Sequence, residues 1–195
     1  MGIKMIIYLH GFGSSGTSSK VDALREKFGA ENVFAPDLPF DPLEVINIVN
    51  KLVYENYTKF QKVVFVGTSL GGFYANYFAM VHETPAILVN PSCKPSETLR
   101  SKLGVNKNYA TNEEFMVELA HLDSMNSMRE HTDRDYNGNL INLFVAKDDE
   151  VIPYDIPLEY FKHTAMTNVV ETGGHRFIDH WDMVMDRVSE LLKKD

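Results

Sequence analysis

The sequence predicts an α/β protein: an open, doubly wound, mostly parallel sheet of about six strands flanked by helices, with a small helical insert. Three observations predict it. Short β-branched and aromatic runs alternate with longer segments of helical period along the chain. The short runs are continuously apolar, the pattern of parallel strands covered on both faces. Between two of them, roughly 50 residues from Pro91 to Gly138 are more polar and too long for an ordinary crossover, which marks an insertion over one end of the sheet.

In chain order, strands are expected over residues 5–9, 32–35, 63–66, 86–89, 140–146 and 168–171. Asp41 reads as a helix N-cap, with Pro42 at the first helical position and Glu44 closing a capping box. Behind it Val45, Ile48, Val49 and Leu52 share one face. Within the insert, Thr111-Asn112-Glu113-Glu114 reads as the start of a helix bearing Phe115, Leu119 and Leu122. The last helix, over 177–192, carries Trp181, Val184, Val188 and Leu191 at the same period. The whole reads as a single domain, 1–195, with a cap-like insert at about 91–138.

Composition narrows the function classes. A formal net charge of -8 argues against nucleic acid and anionic membrane surfaces, which call for a basic face. No apolar run approaches the roughly 20 residues of a membrane helix. The run at 5–9 is too short for a secretory signal, and Ile6 stands where a myristoylation signal needs Ser or Thr. Cys93 is the one cysteine, so no intramolecular disulfide forms; a cytoplasmic protein is expected. No two histidines stand at H-x-x-x-H ligand spacing, and neither metal nor cofactor is expected.

On such sheets ligands bind beyond the carboxyl ends of the strands, and three strand-end loops carry reactive residue types. Gly67-x-Ser69-x-Gly71 fits a nucleophile elbow, a sharp strand-to-helix turn that lifts the serine hydroxyl clear of the sheet. A serine attacks poorly without a base, and the base needs an orienting acid. On this sheet type both follow later in the chain, acid before histidine. Lys147-Asp148-Asp149-Glu150 and Thr172-Gly173-Gly174-His175 stand in that order. Spacing alone does not choose among the three adjacent acids; Asp149 is preferred, with Asp148 second. The oxyanion donors are expected to be the backbone N–H groups of Leu70 and of Phe12, the latter in the Leu9–Ser14 loop, with Gly11 allowing close approach. His10 reads as a structural hydrogen-bonding residue, and Cys93 as a buried thiol.

Taken together, LHGFGSS, GTSLGG, DDEVIP and GGHRF resemble the α/β-hydrolase superfamily in its minimal form. The closer resemblance is to small YqiA-type esterases, related to the YcfP-type proteins of the UPF0227 grouping. YLHGFGSS, VGTSLGGFYA, LVNPSCKP and the GGHRF loop carry it over nearly the whole chain. It implies Ser69 as nucleophile, Asp149 as acid, His175 as base, and cofactor-free cleavage of a small-molecule acyl ester or thioester. Acyl transfer on the same triad and a non-catalytic binding module are the alternatives. The stripe Met116, Leu119, Leu122, Met125 and Met128 would either roof the acyl site or cover the sheet edge.

Overall fold

The computed structural model describes residues 4–56 and 58–193. Its elements alternate along the chain as β1 (Lys4–Leu9), α1 (Ser19–Phe28), β2 (Val33–Phe34), α2 (Pro42–Asn56), β3 (Lys62–Thr68), α3 (Leu70–His82) and β4 (Ala86–Val89). There follow α4 (Pro95–Thr98), β5 (Gly104–Lys107), β6 (Glu114–Val117), α5 (Leu119–Arg134), β7 (Ile141–Ala146), α6 (Asp155–Tyr160), β8 (Met166–Val170) and α7 (Trp181–Lys193). Six strands form one parallel sheet in the order β2-β1-β3-β4-β7-β8. The winding direction switches at β1 and β3, which pair from Lys4↔Lys62 to Leu9↔Gly67.

The continuous hydrophobicity of the strands has a direct cause. Met5, Ile7, Leu9, Phe65 and Leu88 point to one face and pack with α2, α3 and α5. Ile6, Tyr8, Val64, Val66 and Ile87 point to the other and pack with α1 and α7. Both halves of the alternation in β1 and β4 are therefore apolar, whereas the edge strand β8 leaves Thr167 and Val169 exposed. Helix α2 buries Pro42, Val45, Val49 and Val53, and α7 buries Trp181, Val184, Val188 and Leu192.

Two local expectations are corrected. Asp41 does cap α2, its Oδ1 accepting from Leu43 N–H at 2.8 Å, but exposed Glu44 makes no return bond and no capping box forms. More consequentially, no helix begins at Thr111. Residues 114–117 form β6 instead, paired antiparallel with β5 from Gly104↔Val117 to Lys107↔Glu114. Asn112 turns the chain at φ 64, Tyr109 N–H bonds Gly13 O at 2.7 Å, and Phe115 enters an aromatic cluster with Phe12 and Phe40. These tertiary contacts outweigh the local helical signal. The helix starts at Leu119, capped reciprocally by Glu118 and His121. Leu122, Met125 and Met128 lie buried in the core beside α3, so most of the Met/Leu stripe covers the sheet, while Met116 and Leu119 remain exposed.

Candidate active site

Ser69 lies between β3 and α3 at φ 56, ψ -122. Such backbone costs about 1–3 kcal/mol in a non-glycine residue, and the surroundings enforce it. Ser69 N–H bonds Val89 O at 3.0 Å, and Ser69 O accepts from Gly72 N–H at 2.9 Å and Ser92 N–H at 3.0 Å. A Cβ on Gly67 would overlap the Gly71 carbonyl, and one on Gly71 would overlap the Leu9 carbonyl. The turn is tight enough that only glycine fits on either side of the serine. Gly71→Ala should thus force β1 away from β3 and lower the unfolding free energy by about 3 kcal/mol, read as a reduced urea midpoint. An unchanged midpoint would refute that packing argument.

The three acids after β7 each hold a different part of the histidine loop. Asp149, its side chain 1% exposed, faces the His175 ring, with Nδ1 2.9 Å from both Oδ1 and Oδ2. The same Oδ1 accepts from Val151 N–H at 2.8 Å and Ile152 N–H at 2.9 Å. Asp148 instead accepts from the backbone of Gly174 at 2.8 Å and Gly173 at 3.3 Å. Glu150 Oε2 accepts from His175 N–H at 2.9 Å. Of the two aspartates, Asp149 is the one that meets the imidazole.

Ser69 and His175 share the carboxyl end of the sheet but form no hydrogen bond to one another in this structure. Between their strands, just past the end of β4 with φ 43, Asn90 ties β7 to the histidine loop. Its Nδ2 donates to Gly174 O at 2.9 Å and His175 O at 3.2 Å, while its Oδ1 accepts from Ala146 N–H at 3.0 Å. Glu150 is one of the three adjacent acids among which spacing does not choose, and it holds the His175 backbone rather than its ring; Asn90 is not among the residues expected in the site. An asparagine at a strand end, just before a proline, was the available signal for Asn90, because asparagine tolerates left-handed backbone.

Gly11 lies against the serine: a Cβ there would come 3.3 Å from Ser69 Cβ and 3.7 Å from Oγ. Next to it, the N–H of Phe12, like that of Leu70 at the open start of α3, donates to no acceptor among the described residues. Both N–H groups are thus unpaired, on the residues that follow Gly11 and Ser69 in the chain. His10 is structural: Nε2 accepts from Leu38 N–H at 2.9 Å, so Nδ1 holds the proton facing Gly11 O at 2.9 Å. Burial pushes its pKa below the ordinary histidine value, keeping that neutral form. Cys93 is buried, and desolvation pushes its thiol up to about 12, so it stays protonated and inert.

Residues 5–191 match the sequence profile of the family described as Uncharacterised protein family (UPF0227). The chain belongs to this family. A UPF0227 protein of Pasteurella multocida is 29% identical over 119 residues, 58% of this chain and 65% of that protein. One of Pectobacterium atrosepticum is 27% identical over 110 residues, 54% of this chain and 60% of that protein. The aligned stretch thus spans less than two thirds of either curated relative. Among solved structures, the UPF0227 chain superposes on Est1E from Butyrivibrio proteoclasticus with a TM-score of 0.70 at 15% identity, covering 98% of this chain and 87% of that one. For the monoacylglycerol lipase of Paleococcus ferrophilus the TM-score is 0.70 at 14% identity, covering 98% and 97%. At these identities the likeness establishes the α/β-hydrolase fold of the UPF0227 chain. Among the described residues, no helix is long and apolar enough to cross a membrane.

Proposed function

We propose that this chain is a serine hydrolase of carboxylic esters or thioesters that works through an acyl-enzyme. One observation carries the reading: His175 Nδ1 held 2.9 Å from a buried Asp149 carboxylate, on loops at the same sheet end as a serine in left-handed backbone. The carboxylate only accepts hydrogen bonds, so Nδ1 keeps its proton and Nε2 is left as the base. Ser69 Oγ attacks the acyl carbonyl as His175 Nε2 takes its proton, the Ser69–His175 contact tightening once the acyl group is seated. Phe12 and Leu70 N–H groups receive the oxyanion. His175 then protonates the leaving alcohol or thiol and activates the water that releases the acid. Ester chemistry is also what two structural neighbours carry in their names, the monoacylglycerol lipase of Paleococcus ferrophilus and Est1E with bound ferulic acid, which supports this reading.

A fluorophosphonate tests it directly, because it phosphonylates a serine only where a base and oxyanion donors converge. Intact-mass and peptide analysis should find one adduct, on Ser69. No adduct, or one that persists in Ser69→Ala, would overturn the reading.

A further inference from the structure

Beside the donor loop opens a cavity of about 350 Å³, at the lower end of the roughly 300–1,000 Å³ of small-molecule sites. One part of its wall is apolar: Phe12 from the loop after β1, Leu38 and Phe40 from the segment after β2, Leu70 and Tyr74 from α3, and Phe115 from β6. The rings of Phe12, Phe40 and Phe115 pack on one another with centroids 5.4, 5.5 and 5.6 Å apart, an aromatic surface that suits a ring. Its charged lining residues are Asp37, Glu113 and Glu114, with no lysine or arginine. Tyr74, 2% exposed, contributes to the wall, and its hydroxyl has no hydrogen-bond partner among the described residues. That hydroxyl is closed off from the cavity, so Tyr74 offers a ligand its apolar ring rather than its O–H.

The position of the cavity decides which half of the substrate it takes. It is built from loops on the β1–β2 side of β3, whereas His175 arrives from the loop after β8, on the opposite side. Both oxyanion-donor residues line it. In an acyl transfer the departing oxygen or sulfur must face the base that protonates it, and the remaining substituent of the carbonyl carbon points away. That substituent is the acyl chain.

We propose, resting on the serine-hydrolase reading above, that this cavity is the acyl site, and that it selects uncharged, ring-sized acyl groups. The leaving group lies outside it, on the His175 side. Anionic acyl groups are rejected by the carboxylate rim.

The test compares two ester series, each rate divided by that ester's alkaline hydrolysis rate. One fixes p-nitrophenol and varies the acyl group: acetate, benzoate, 4-methoxybenzoate and hemiglutarate. The other fixes 4-methoxybenzoate and varies the alcohol. The acyl series should spread kcat/KM by about 100-fold, with the two benzoates highest and hemiglutarate lowest; the alcohol series should vary by less than about 5-fold. Phe40→Leu should erase most of the preference for benzoate over acetate. Glu114→Lys should raise hemiglutarate relative to acetate by about 5-fold or more. A flat acyl series beside a steep alcohol series, both abolished by Ser69→Ala, overturns the cavity assignment alone, as does an acyl preference that neither variant moves. No Ser69-dependent hydrolysis of any ester overturns the hydrolase reading beneath it.

Discussion

Ser69→Ala is expected to lower kcat/KM for ester hydrolysis by roughly 10⁶-fold, the scale on which loss of a nucleophile collapses a triad that acts as a unit. The fold should not notice. Alanine keeps the Cβ that lies against Gly11 and keeps the same left-handed backbone, while Ser69 Oγ makes no hydrogen bond among the described residues whose loss would be felt. The thermal midpoint should therefore match wild type while activity disappears. Hydrolysis by the variant at the wild-type rate would remove Ser69 from the mechanism. A variant that lost activity only by unfolding would show it in the midpoint, which separates the two causes.

The second large effect is expected at Asp149, and the bonds around it say why. Oδ1 is claimed by two backbone donors, Val151 and Ile152. In Asp149→Asn the amide oxygen must stay there, which places the amide NH₂ against His175 Nδ1. The ring then accepts at Nδ1 and carries its proton on Nε2, the wrong tautomer for a base. We expect kcat to fall by roughly 10⁴-fold, the size of the equivalent change in serine proteases. Asp148→Asn should cost about 10-fold or less, since an asparagine oxygen still accepts one of the two glycine N–H groups that Asp148 holds. Circular dichroism would establish that both variants fold. Equal activities would remove Asp149 from its role.

Much of this arrangement was legible in the sequence because the residues concerned have few other places to go. A serine between glycines, after a buried strand and before a helix, leaves one geometry. An acid and a histidine that follow later strands in order then converge through topology alone. What local pattern does not contain is the partner of a distant segment. The helix expected at Thr111 failed because Glu114–Val117 pairs with Gly104–Lys107, and Tyr109 in the turn between them docks on Gly13, contacts to which helical propensity is blind. Asn90 was missed for the same reason: its three hydrogen bonds exist only where β4, β7 and the histidine loop meet. Choosing between Asp148 and Asp149 likewise required seeing which carboxylate turns toward the ring.

The hairpin of β5 and β6 is fastened to the loop after β1 by Asn108 Nδ2 to Ser14 O at 2.8 Å, by Tyr109 N–H to Gly13 O, and by the Phe12–Phe115 contact. This makes it a buttress more than a cover. The region of the chain that looks most like an optional addition braces the loop whose Phe12 N–H we propose as an oxyanion donor. On that reading, a change in such a segment would be transmitted to the rate of the chemical step as well as to the choice of substrate. Diversity within the fold would then be tuned by paired changes in hairpin and donor loop, inherited together.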